Sequence, residues 1–320
     1  MSQATPPSSP AEAKTVFITG AVTSLGRTLT RQLVAAGHRV IGTAANKADA
    51  AALRALGALP VYPSLFRAGE LRSAMLAAAG SVDVTINLAP LASAHLPFQP
   101  VNWNDTSRLL IDGTAALVEA AKAANAKQFI HGSYAFAGAH TEDEALASVL
   151  NAVHRAEATA LTAGIPVTVL RFGYIYGEAD DQLNAVLAAL KSGRGVPNST
   201  DRHALAGWVN VYDAANAVAL TIGNDAAAHR TLDIVDDHAD SPAGFLNYLA
   251  STQHLVSPET PPAFLARLTL GAAQFALLNA SAHPNNAEAK TVLGWQPRFA
   301  TFKQGIDDML LSVRAAMTVR

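Results

Sequence analysis

The feature that most constrains this chain is a repeated alternation of short β-branched, apolar runs with alanine-rich stretches of helical length. Thr15–Thr19, Arg39–Thr43, Leu59–Tyr62, Val82–Leu88, Gln128–His131 and Pro166–Leu170 read as strands. Between them, Arg27–Ala36, Lys47–Leu56, Glu70–Ala79, Ser107–Ala124 and Val149–Ala163 read as helices. Strand–helix repeats of this kind put helices on both faces of a parallel sheet, and right-handed crossovers make the sheet doubly wound. The expected fold class is therefore α/β. After Gly177 the rhythm changes: a helix over Asp181–Lys191, a polar loop to Asp201, strands at Trp208–Val211 and Thr231–Val235, then mostly helix from Ser241. The expected organisation is a tail over 1–13, a sheet domain over 14–180 to which 205–236 returns, and a smaller helical cap from 181–204 and 237–320.

Composition narrows the function classes. Charged residues are 15% of the 320, where about 25% is usual, and the net charge is −2. A nucleic-acid binder relying on bulk positive charge is excluded, because neutralising phosphates needs a lysine and arginine surplus. No cysteine is present, which excludes a disulfide scaffold, a thiolate metal site and a cysteine nucleophile. The first thirteen residues hold prolines and serines but no basic start and no apolar run, so the expected location is cytoplasmic. Pro261–Ala280 is long enough to span a bilayer, but Arg267 and Gln274 interrupt it. It reads instead as an apolar helix at a pocket or at a contact between two copies. Hydrophobic residues are 50% of the chain, and 67 residues are alanine. Apolar surface is expected to be left over for a substrate cavity or a homodimer interface.

The turn after the first strand, Thr19-Gly-Ala-Val-Thr-Ser-Leu-Gly26, opens the first helix. A dinucleotide pyrophosphate meets a helix N-terminus at such a turn. Gly20 permits the tight bend and Gly26 a close approach of helix to strand, while Thr23 and Ser24 stand where a middle glycine is usual.

From this point the sequence resembles the extended short-chain dehydrogenase/reductases of the NAD(P)-dependent epimerase/dehydratase family, whose turn reads T-G-x-x-G-x-x-G. Six further segments carry the resemblance: Asp83-Val-Thr-Ile-Asn-Leu-Ala89, Asp112-Gly-Thr114, Ser133-Tyr-Ala-Phe-Ala-Gly138, Pro166 to Gly177, Trp208-Val-Asn-Val-Tyr-Asp213 and Leu293-Gly-Trp-Gln-Pro297. The resemblance runs from about Lys14 to Ile306. It implies a Rossmann domain and a nicotinamide dinucleotide held by Gly20, Thr23, Ser24, Leu25, Gly26, Arg27, Ala44, Asn46, Lys47, Ser64, Leu65, Leu88, Ala89, Pro90, Arg171, Phe172 and Gly173.

The chain departs from the family at its chemistry. The family's Tyr-x-x-x-Lys pair, which moves the proton, occurs nowhere. Counting back from Ala156-Glu157 puts Val149 at the tyrosine position and Val153 at the lysine position. Ser133 matches the family's catalytic serine and is the first candidate, with Tyr134 and Tyr174 as further candidates. His154 is read as an exposed histidine, and no protein acid is needed if water or the substrate supplies the proton. At the end of the second strand, Thr43-Ala-Ala-Asn46 has no acid to meet a ribose 2′-OH, so NADP is expected ahead of NAD. Ser64 replaces the aspartate of the family's G-D-L. The histidines lack metal spacing, and the Glu142-Asp143-Glu144 run reads as a solvated loop, so no metal is expected.

The expected function is an atypical NAD(P)H-dependent oxidoreductase, a ketoreductase for an apolar or aromatic carbonyl substrate. Two alternatives stand beside it: an NADP-binding sensor or scaffold without catalysis, and an epimerase, lyase or cyclase reusing the fold. Leu183, Leu187, Phe245, Phe264, Leu268 and Phe275 are the expected substrate-selecting residues of the cap. Arg194, Arg202 and Arg267 are those that a sugar diphosphate would need.

Overall fold

A computed structural model describes residues 12–92, 96–178, 180–201, 203–256, 258 and 261–318, so most of the tail, and Arg202, lie outside the described residues. The strands are β1 Thr15–Thr19, β2 Arg39–Thr43, β3 Leu59–Val61, β4 Val84–Asn87, β5 Gln128–Tyr134, β6 Val167–Phe172, β7 Tyr174–Tyr176, β8 Trp208–Asn210 and β9 Arg230–Ile234. The helices are α1 Ser24–Ala35, α2 Lys47–Ala55, α3 Ala68–Ala79, α4 Trp103–Arg108, α5 Thr114–Ala123, α6 Glu144–Leu161, α7 Asp181–Lys191, α8 Val211–Thr221, α9 Pro242–Thr252, α10 Ala263–Leu270, α11 Ala272–Asn279, α12 Ala287–Leu293 and α13 Phe302–Thr318.

Seven strands form one parallel sheet in the order β3-β2-β1-β4-β5-β6-β9. Successive strand residues point to opposite faces, and the apolar ones feed two separate cores. Val16, Ile18, Val40, Ile130 and Leu170 join the core under α1 and α8. Phe17, Ile41, Phe129, Val167 and Val169 join the core under α3 and α5. This is the Rossmann arrangement expected from the alternation. The order reverses direction between β1 and β4, which creates the crevice at the carboxyl ends where ligands bind in such sheets.

Three local differences from the sequence reading bear on the site. First, β5 runs on to Tyr134, because Ser133 and Tyr134 pair in register with Arg171 and Phe172 of β6. Second, α6 begins at Glu144 rather than Val149. Asp143 caps it, its carboxylate accepting the N–H groups of Ala145 and Leu146. The acidic run read as a solvated loop is therefore a helix start. Third, the helix expected over Ser107–Ala124 is divided into α4 and α5 by a wide turn at Leu109–Gly113, after which the Thr114 hydroxyl accepts from Asn87.

A third core belongs to the cap. Trp208 stacks on Phe245 with centroids 4.2 Å apart, and Phe98, Tyr176 and Phe302 close around them. Two late motifs of the resemblance meet here as a clamp. Asp213 accepts the N–H groups of Arg298 and Phe299, and its carbonyl accepts the Trp295 indole N–H. The apolar stretch over Pro261–Ala280 breaks at Gly271 (φ +82°) into α10 and α11. No helix among the described residues is long and apolar enough to cross a membrane.

Candidate functional site

The glycine-rich turn is shaped by what cannot fit in it. Gly20 has φ +73°, and a side chain there would come within 2.7 Å of the Leu88 carbonyl carbon. A Cβ on Gly26 would lie 2.2 Å from the Gly20 carbonyl oxygen. Gly26 is thus needed for the turn to close on itself, a different contact from the helix–strand approach the sequence suggested. Thr23 caps α1: its hydroxyl donates to the Gly20 carbonyl (2.9 Å) and accepts the Gly26 N–H (3.0 Å). The helix N-terminus therefore keeps its order without a middle glycine.

Beside this turn lies a cleft of about 620 Å³. Gly20, Val22 and Thr23 form one wall, Thr43, Ala44, Ala45 and Asp49 the second, and Pro63, Leu65, Ala89 and Ala92 the remainder. It spans the ends of β1, β2 and β4, where the strand order reverses. The positive φ at Gly20, the closed turn and the capped α1 fit a dinucleotide, since each keeps backbone close to where a pyrophosphate would sit.

Of the expected cofactor residues, Gly20, Thr23, Ala44, Leu65 and Ala89 line this cleft, and Phe172 and Gly173 line a second cavity. The others line neither. Leu25 and Leu88 are core residues. The Ser24 hydroxyl donates to Asp180, which caps α7, so Ser24 ties the turn to the cap. Asn46 caps α2, Lys47 is exposed beside it, and Arg27 is half-buried on α1. Ser64 receives the Glu70 carboxylate on its N–H. The Pro90 carbonyl accepts the Tyr134 hydroxyl. Arg171 is engaged by Glu157, as described below. An acid not expected at this strand end also stands there, because Asp49 folds back to the cleft from α2.

The second cavity sits at the ends of β5 and β6. Tyr134, Ala135 and Phe136 form one side, Phe172 to Ile175 another, and Leu205 to Gly207 with Leu277, Ala280 and Ala282 close it from the cap. Among the described residues, no charged side chain lines it. Leu91 lines it while Ala89 and Ala92 line the cleft, so one short turn after β4 separates the two spaces. Tyr134 stacks on Phe136 at 4.7 Å, and Trp103 meets both rings edge-on. Tyr174 packs on Trp208, and its hydroxyl makes no hydrogen bond to any described residue. Burial pushes the pKa of both tyrosines well above the ordinary value, so both stay neutral.

Ser133 does not face this cavity. It is fully buried, and its hydroxyl donates to Glu157 (2.7 Å), which also receives two hydrogen bonds of 2.7 Å from Arg171. Strand alternation is the reason: with Tyr134 turned to the cavity, Ser133 must turn to α6. Burial alone would raise the Glu157 pKa, but the hydrogen bonds from Arg171 and Ser133 and the Arg171 charge outweigh it, so Glu157 titrates below the ordinary carboxylate value. Val149 and Val153 point into the core, and His154 is half exposed, 3.6 Å from Glu157. His131 is fully buried, its Nδ1 3.3 Å from Asn87, and burial lowers its pKa to about 4, leaving it neutral. Of the expected cap residues, Leu183 and Phe245 fill the cap core, Leu187 and Phe275 pack on it, and Phe264 and Leu268 are 70% and 80% exposed; none lines the cavity.

Sequence reasoning passed over Glu157 and Asp49. Glu157 served only to locate the vacant lysine position, yet a lone acid on an otherwise apolar helix face, with an arginine in the next strand, signals a buried pair. Asp49 carried no comparable signal, because only the bend of the chain after β2 brings it back to the strand end.

A sequence profile of the NAD(P)H-binding family matches residues 20–214. A 3-diazoavenalumate denitrifying reductase from Streptomyces sp is 27% identical over 310 residues, covering 91% of this chain and 98% of that one. Among solved structures, MoeE5 in complex with UDP-glucuronic acid and NAD superposes with a TM-score of 0.73 at 20% identity, covering 94% of this chain and 99% of that one. The UDP-glucose 4-epimerase of Thermotoga maritima with UDP-glucose superposes with a TM-score of 0.72 at 17% identity, covering 95% and 99%.

Proposed function

The chain belongs to the NAD(P)H-binding family, and from that premise we propose that it is an NAD(P)H-dependent reductase of a neutral, apolar or aromatic substrate, a ketoreductase in the first instance. The observation that carries this reading is the cavity beside the dinucleotide cleft, whose lining has no charged side chain among the described residues. A sugar diphosphate would need cationic partners there. Arg267 pairs with Asp143 (3.5 Å) and lines neither space. When bound, the dinucleotide supplies hydride.

The protein's own contribution is to exclude water and orient the substrate. Tyr134 and Phe136 offer an aromatic wall, backed by Trp103, and the Tyr134 hydroxyl is committed to Pro90. The Tyr174 hydroxyl has no hydrogen-bond partner among the described residues, and its raised pKa keeps it a hydrogen-bond donor. We assign it the role of holding a carbonyl oxygen as negative charge develops there. Ser133 is not used, because Glu157 already holds its hydroxyl.

A second reading is favoured by the absence of any acid in the cavity and by the curated relative, a denitrifying reductase of a diazo compound by its name. Replacing an arenediazonium nitrogen by hydride forms one C–H bond, releases N2 and leaves no oxyanion, so no acid is required. Turnover of aromatic ketones and of diazophenols by the wild type and Tyr174→Phe separates the two. In a ketoreductase, Tyr174→Phe loses on the order of a hundredfold in kcat on ketones with dinucleotide affinity unchanged. Release of N2 at an undiminished rate by the variant would establish the second reading. Turnover of neither class across a broad panel would remove both.

A further inference from the structure

The geometry points to Asp49 as the residue that makes this chain choose NAD(H) over NADP(H), by facing the ribose 2′ position from the first turn of α2. The inference deepens the dinucleotide reading of the cleft and rests on it. Acids that select NAD are usually sought at the end of the second strand, because a carboxylate there accepts a hydrogen bond from the 2′-OH. In this chain that position is Ala44, with Ala45 and Asn46 after it. The structure supplies the carboxylate from further along.

The chain reverses tightly after β2. The Ala44 N–H donates to the Val61 carbonyl (2.8 Å), which anchors the strand end to β3. Asn46 caps α2 by accepting the Asp49 N–H (3.0 Å), and Asp49 Oδ2 accepts the Ala45 N–H (3.0 Å). This reciprocal cap holds the carboxylate at the strand end, where Asp49 lines the cleft together with Thr43, Ala44 and Ala45. Oδ2 is committed to the loop, which leaves Oδ1 to accept from a ribose hydroxyl.

Charge decides the preference. Asp49 is the one charged residue among the described residues that line the cleft. A 2′-phosphate placed against it would set like charges side by side in a partly desolvated space. Lys47 is the cation nearest in sequence, and Arg67 follows the Pro63 and Leu65 side of the cleft. Lys47 is exposed at the start of α2, outside the lining residues, and Arg67 is paired with Glu70 at 3.0 Å. Neither faces the carboxylate to neutralise it. The smallness of Ala44 and Ala45 leaves the space beside the carboxylate open to a ribose.

The test is equilibrium binding of NADH and NADPH to the full chain, without substrate, followed by the fluorescence of the reduced nicotinamide at fixed ionic strength. The wild type is expected to bind NADH about tenfold tighter than NADPH, or more. Asp49→Asn keeps an amide oxygen to accept the Ala45 N–H, so the loop survives, and its melting temperature checks this. In that variant the NADPH affinity should rise and the preference should fall to within about threefold. Lys47→Ala should leave the ratio as in the wild type. A wild type that binds NADPH as tightly as NADH, an Asp49→Asn protein with an unchanged ratio, or a ratio governed by Lys47 would each overturn the assignment while leaving the cleft a dinucleotide site. Binding of neither dinucleotide would overturn both.

Discussion

The cleft and the cavity lie on either side of one short turn, yet they are made in opposite ways. Leu109 apart, the cleft is assembled from residues within a few positions of four strand ends. Its shape follows from Gly20, Gly26 and the Thr23 cap, which are local backbone features. The cavity draws on segments as far apart as Leu91 and Ala282, and its character comes from what the cap sets against the sheet. A site made of turn geometry is sensitive to a single Cβ. A site made of packed apolar walls is sensitive to the buried polar groups that hold its walls in place.

The largest effect should break the cleft. Gly26→Val places branched carbons where the Gly20 carbonyl already stands, within 2.2 Å. Dinucleotide affinity should fall by more than about a hundredfold, measured by calorimetry, because the turn can no longer close. Near-wild-type affinity would show that the turn does not hold the dinucleotide.

Next in size is a stability effect on the cavity side. Asp236, just past β9, has both carboxyl oxygens buried with no well-formed hydrogen bond to a described residue, and a weak contact from the His238 N–H does not offset this. Burial, reinforced by the charges of Asp237, Asp213 and Asp240, raises its pKa to about 8. The folded state therefore binds this proton more tightly than the unfolded state, whose pKa is near 4. The stability that the protonated group contributes is fully present below pH 4 and is lost as pH rises through 8, on the order of a few kcal/mol. Asp236→Asn should flatten urea midpoints over that window and gain most above pH 8. An unchanged pH profile would mean that Asp236 is ionised at neutrality.

The smallest expected change sharpens the comparison most. Glu157→Gln weakens the hold on Arg171 and Ser133 and should cost about 2 kcal/mol in chemical denaturation, since the Arg171 side chain is partly solvated. The dinucleotide affinity and kcat of the folded protein should stay within about twofold, because the trio lines neither space. A large loss of kcat without a loss of stability would return Ser133 to the chemistry.

Much of the fold was legible from the chain alone. β1, β2 and α7 have the boundaries the pattern implied, because an apolar run between polar breaks has few other uses. Legibility failed where partners are remote. The reach of β5 to Tyr134 depends on pairing with β6, which no local run announces. In that added length Tyr134 pairs beside Phe172 at the cavity, while Ser133 pairs beside Arg171 and meets Glu157. The cap residues chosen for their size, Phe245 above all, went to the cap's own core. The cavity wall went instead to small residues such as Ala280 and Ala282, which leave room.

The sequence by itself determined the parallel sheet, the glycine turn, the missing Tyr-x-x-x-Lys pair and the scarcity of charge, because each is written in residue type and spacing. Only the tertiary structure decided which hydroxyl is free. Tyr174 keeps its own, while Tyr134 gives its to Pro90 and Ser133 to Glu157. It also decided that an acid stands at the end of β2, since Asp49 reaches that place by a reversal of the chain. The physical reason is the same in both cases. A side chain's chemistry depends on the groups it is bonded to and the face it occupies, and those are set by partners distant in sequence or by a bend of the backbone.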